Sequence, residues 1–182
     1  MLYNNCTFKE LQALEVDELN YYITTGLFIP PNSWGIPDII EWNYGKVMEL
    51  VMMFGTEINL PDVVSICCFA TGKKQTLIEN KRWHEVFAFY NHIAKEVVRV
   101  EEILKTLHVL PTQEEEAAGI DNFAQFGVFA TIDRLAGGNV LKYEAIENMP
   151  FMVIYTKLKL NKVEAEYQEA YQKIITAKYN RY

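Results

Sequence analysis

Apolar residues recur at spacings of three and four along most of this chain, and cap residues bracket each run, which predicts helices throughout. Thr7 with Glu10 three residues later is a capping-box pattern, opening a short helix with Phe8, Leu11 and Leu14. A second short segment, 17–24, carries Leu19, Tyr22 and Ile23 and stops at Gly26. The run Ile29-Pro30-Pro31-Asn32-Ser33-Trp34-Gly35-Ile36-Pro37 has no period and reads as a rigid connector. Pro37-Asp38 then starts a helix through Ile40, Tyr44, Val47, Met48, Val51 and Phe54, closed by Gly55.

The nearly all-apolar segment 63–70 has a length that fits a buried strand as well as a buried helix. Leu60-Pro61-Asp62 as a start signal and Gly72 as a stop favour helix. Gly72 to Thr76 reads as an exposed loop. The longest helix of the middle follows over 80–108. Trp83, Val86, Phe87, Tyr90, Ile93, Ala94, Val97, Val100, Leu104 and Leu107 form its apolar stripe, opposite Lys95, Arg99, Glu102 and Lys105. Thr112 with Glu115 forms a second capping box. An amphipathic helix is expected from Asp121 to Gly137-Gly138, and a short one, capped by Asn139, through Glu147. Pro150 opens a last helix reaching about Lys178, whose first half Phe151, Ile154, Tyr155, Leu158 and Val163 are expected to bury.

The expected fold is therefore all-α: an irregular multi-helix bundle with a long C-terminal helix, forming one domain over 1–182. Within it, 1–36 hold the N-terminal helices and Pro-rich connector, 37–148 the helical core, and 149–182 the C-terminal helix and a docking tail.

Half of the residues are hydrophobic and 13% are aromatic, which excludes a disordered chain. The formal net charge of -7 argues against direct nucleic-acid binding, which depends on clustered Lys and Arg. Three cysteines, two of them adjacent, do not make a disulfide framework. The N-terminus lacks the basic and apolar regions of a signal peptide, and no apolar run is long enough for a membrane span.

Candidate chemistry is sparse. His84, His92 and His108 lie on or near one helix, and His92 with Glu96 has ligand-compatible spacing. Neither HExxH nor the Glu-x-x-His pattern of di-iron bundles occurs, so structural or surface histidines are the better reading, with no metal or cofactor expected. Cys67 and Cys68 point about 100° apart on a helix and read as small hydrophobes. Thr71-Gly72-Lys73-Lys74 lacks the first Gly and the final Ser/Thr of a phosphate-binding loop. Glu114, Glu115 and Glu116 suit a helix's first turn. Glu164, Glu166 and Glu169 sit beside Lys162 and Lys173, as solvated pairs do.

The end of the chain carries the best interaction signal. Beyond Val163 the apolar spacing of the last helix thins to Tyr167, Tyr171, Ile174 and Ile175, and the chain closes on Tyr179-Asn180-Arg181-Tyr182. Tyr and Arg are enriched at interface hot spots. Tyr167, Tyr171, Ile175, Tyr179, Arg181 and Tyr182 are therefore the candidate partner-binding residues, and no catalytic residue is assigned.

The run Gly119-Ile120-Asp121, Asp133-Arg134-Leu135-Ala136-Gly137-Gly138-Asn139, Lys142-Tyr143-Glu144 and Met149-Pro150-Phe151, followed by a charged helix, resembles morphogenesis proteins of tailed phages. The likeness is to tail assembly chaperones and small head–tail proteins, and it spans the last third of the chain. It implies a non-enzymatic phage assembly or virion structural protein acting through helix-mediated contacts. Its partners would be other phage structural proteins, with a homo-oligomer left open, in the host cytoplasm during assembly or in the virion. Two other readings stand beside it: a metal- or ligand-binding helical bundle enzyme using His92 and Glu96, and an acidic regulatory or inhibitor protein.

Overall fold

The structure, a computed structural model, describes residues 6–55 and 58–179. Among these the protein is all-α with a long C-terminal helix. The helices are α1 (Phe8–Leu11), α2 (Val16–Gly26), α3 (Tyr44–Met53), α4 (Leu60–Thr71), α5 (Gln75–Glu79), α6 (Trp83–Lys105), α7 (Gln113–Ala117), α8 (Val128–Ala136), α9 (Tyr143–Glu147) and α10 (Phe151–Tyr179). Short 3-10 turns cover Ile39–Glu41, Ile120–Phe126 and Val140–Lys142. The contacts group into two compact units, one of Met1–Ile39 with Val47–Glu101, the other of Ile40–Lys46 with Glu102–Tyr182.

In the first unit the core gathers along α6, where Trp83, Val86, Phe87, Tyr90, Ile93 and Val97 are buried. The Phe87 ring lies 5.8 Å from Phe8 and 6.2 Å from Trp83, and Tyr22 meets Trp83 edge-on at 5.2 Å. A Cβ on Gly26 would stand 2.5 Å from Phe87 Cγ, so glycine is what lets the end of α2 reach that ring. The Asn91 side chain donates to the Gly26 and Ile29 carbonyls at 2.9 and 2.7 Å, tying the end of α2 and the residues after it to α6. Trp34 anchors the Pro-rich connector by stacking on Phe89 at 4.3 Å.

Segment 63–70 is helical: Asn59 caps α4 by accepting from the Asp62 amide, and Gly72 ends it in the left-handed region at φ 67. Cys67 is buried on α4, its thiol pushed up by burial, and its Sγ donates to the Val86 carbonyl. A thiol reagent should therefore label Cys67 in native protein far more slowly than Cys68, which is half-buried, with the difference vanishing in denaturant. Mass mapping of the labelled peptides checks this.

The second unit is organised around the start of α10. The Tyr44 amide donates to Met149 O at 2.8 Å, and the Phe151 amide donates to Trp42 O at 2.9 Å. The Tyr44 and Phe151 rings stack with centroids 6.4 Å apart. These bonds correct the expectation of one continuous helix after Pro37. The chain leaves helical geometry at Trp42 and Asn43 to pair with the entry of α10, and Asn43 restarts it by accepting from the Lys46 amide.

The expected helix from Asp121 to Gly137 is also divided. Gly127 takes φ 49 and ψ -128, which leaves a 3-10 turn before it and α8 after it. A side chain there is strained, so Gly127→Ala should destabilise by about 1–3 kcal/mol in thermal or urea melts. The loop expected over Gly72 to Thr76 is shorter than that, because α5 begins at Gln75. Leu104 and Leu107, expected on the stripe of α6, are only half-buried.

Candidate docking surface

The second unit leaves much of its apolar surface uncovered. Phe123, Phe126 and Phe129 are all more than half exposed, as are Val140 and Leu141. Phe123 and Phe126 are three apart in a 3-10 turn, where such neighbours eclipse and share a face. Phe129 is held edge-on against Tyr143 at 5.1 Å, and the Tyr143 hydroxyl donates to Asp133. That bond holds the tyrosine's proton and moves its pKa upward. Sequence reasoning did not select these phenylalanines, because it expected one amphipathic helix from Asp121 and not a 3-10 turn followed by a break at Gly127.

α10 is the larger feature. Its 29 residues span roughly 44 Å at 1.5 Å per residue, yet only Phe151 and Ile154 are buried. The expectation that Leu158 and Val163 would be core is corrected: Leu158 is half-buried and Val163 is 53% exposed. The packed face is short, running through Phe151, Ile154, Tyr155, Leu158, Asn161 and Lys162, and beyond it only Ile175 is half-buried. The Tyr155 hydroxyl lies 3.0 Å from that of Thr106. Lys162 Nζ donates to the Thr106 and His108 carbonyls at 2.9 and 3.2 Å. Lys162 was expected in a solvated pair with a neighbouring Glu; instead its charge meets the carbonyls after the end of α6. Glu169 does pair with Lys173, which keeps its carboxyl below the usual range.

Of the partner-binding candidates, Tyr167, Tyr171 and Tyr179 are exposed on α10 and Ile175 is half-buried. Arg181 and Tyr182 lie outside the described residues. Tyr167 and Tyr171 stack on each other at 6.1 Å. Val153, Leu160 and Ile174, which the sequence reading did not select, are as exposed as the tyrosines.

The remaining candidates sit apart. Among the described residues no three His, Cys, Asp or Glu side chains gather in metal-binding geometry. Glu96 Oε2 lies 2.8 Å from the Arg99 guanidinium, which also pairs with Asp38. His92 packs 6.5 Å from Phe89, and His84 lies edge-on to Trp83. An open cleft of about 480 Å³ in the first unit is lined by Leu27, Phe54, Tyr90, Val97 and Glu101 among others. Burial pushes the Tyr90 phenol there up to about 12. No helix among the described residues is long and apolar enough to cross a membrane.

No protein-family model, no curated protein and no solved structure matches the chain.

Proposed function

We propose that this chain is a non-enzymatic assembly or virion protein of a tailed phage, and that it presents the outward face of α10 to another structural protein. One observation carries the reading: a 29-residue helix buries only two of its side chains, while Val153, Leu160, Val163, Tyr167, Tyr171, Ile174 and Tyr179 face solvent. Fully burying one large apolar side chain contributes about 1.5–3 kcal/mol and covering a half-exposed one about half of that, while association costs about 4–15 kcal/mol. Seven such side chains on one helix are enough to hold a partner if most are covered. Scattered exposed apolar residues are ordinary; a concentration of this size on one element marks an interaction surface.

The phage assignment rests on the likeness of Gly119 to Phe151, and of the charged helix that follows, to tail assembly chaperones and small head–tail proteins. The test is to read the neighbouring genes, which should encode portal, capsid, tape-measure or tube proteins, and to co-express the chain with those proteins. One of them should co-purify with the wild type and be lost on Tyr171→Ala with Tyr179→Ala. Neighbouring genes of unrelated kinds, or co-purification unchanged by the two substitutions, would overturn it.

A further inference from the structure

The outward side of α10 carries a seven-residue period. Val153, Leu160, Tyr167 and Ile174 are spaced by seven, and Thr156, Val163, Ala170 and Ala177 stand three residues after each. All eight are exposed. That is the a/d spacing of a two-stranded coiled coil, with large apolar residues at a and mostly small ones at d. At about 100° per residue the seam lies on the side of α10 opposite its packed face of Phe151, Ile154, Leu158 and Lys162, so packing within the unit leaves it open.

The flanking charges say what covers it. Lys157 and Glu164 border one side of the seam and Lys159 and Glu166 the other, and all four are exposed. In an antiparallel pair like flanks face each other. With the two-fold axis between Asn161 and Lys162, Lys157 meets Glu164 of the second copy and Lys159 meets Glu166. Two-fold symmetry doubles both pairs, with no like charges opposed. The same register sets Leu160 against Val163, Thr156 against Tyr167 and Val153 against Ala170, and it carries Ile174 and Ala177 past the start of the second copy's α10. A parallel pair is poorer, because it joins Lys159 to Glu164 but opposes Lys173 to Lys178.

We infer that the occupant of this seam is a second copy of this chain, paired antiparallel through α10. The inference rests on the reading of α10 as a docking helix and names its first partner. Pairing covers Val153, Leu160, Val163, Tyr167 and Ile174 and leaves Tyr171 at its edge and Ile175 and Tyr179 outside it, so these three remain to hold a further protein.

Sedimentation equilibrium of the full chain tests it. The wild type should be a dimer, and Leu160→Glu a folded monomer, since Leu160 is half exposed and its loss leaves the packed face intact. Lys157→Glu with Lys159→Glu should weaken the dimer by about tenfold or more, and adding Glu164→Lys with Glu166→Lys should restore it. Glu166→Lys alone should weaken an antiparallel dimer and leave a parallel one unchanged, because Glu166 would there face Tyr171. A monomeric wild type, a dimer indifferent to the reversals, or one indifferent to Glu166→Lys would refute the antiparallel pairing. A monomer that still captures a structural protein through Tyr171 and Tyr179 would refute the pairing alone and leave the proposed function standing.

Discussion

Phe87→Ala should lower the unfolding free energy by about 3–5 kcal/mol, the largest stability loss expected from any single substitution considered. The ring is fully buried and meets Phe8, Trp83 and the backbone of Gly26. Its removal leaves a cavity walled by α1, α2 and α6, and three separate elements cannot all close on it. A domain of this size has about 5–15 kcal/mol to lose, so the variant should melt many degrees lower and unfold at much lower urea. Gly26→Ala should injure the same place from the other side by overpacking. Leu104→Ala should cost much less, because that side chain is only half-buried. A Phe87→Ala loss below about 1 kcal/mol would mean that the α6 stripe is not the core.

The second large effect is on association. Ending the chain after Ala165 removes Tyr167, Ala170 and Ile174 from the seam, and Tyr171 and Tyr179 with them. It removes no buried side chain among the described residues. The melting temperature should therefore stay close to that of the full chain, while self-association and capture of a structural protein are both abolished. Analytical ultracentrifugation and differential scanning calorimetry on the same preparation separate the two effects. If the truncated chain unfolds, the segment is core; if it still assembles, the docking surface lies elsewhere, and Phe123, Phe126 and Phe129 are the next residues to test.

Helix starts and stops were the most legible feature of the sequence. The capping boxes at Thr7 and Thr112 are made as written, with both reciprocal bonds present, and Gly72 and Gly137 end their helices in the left-handed region. Cap chemistry is local, so neighbouring residues suffice to predict it. The breaks at Trp42-Asn43 and at Gly127 were not legible, for different reasons. The first is enforced by bonds to Met149 and Phe151, more than a hundred residues away, which no local pattern encodes. The second follows from a backbone conformation that only glycine adopts readily, and a lone glycine in a helical pattern does not announce it.

The docking surface was half legible. Tyr167, Tyr171 and Tyr179 could be selected by residue type, but periodicity alone cannot say which side of a helix the rest of the molecule covers. Val163 had the right spacing for core and points outward instead. The covered face of α10 runs from Phe151 to Lys162, and the seven-residue series lies on the opposite side.

Amide hydrogen exchange over 160–178, measured in dilute protein and again in the associated state, tests the central claim most directly. Without a partner this half of α10 has only its own propensity to hold it, which is marginal in water for about 12–15 residues. Exchange should be fast in the dilute monomer and strongly slowed on association, while α6 stays protected in both. Protection already complete in the dilute monomer, or absent in every associated state, would contradict that claim.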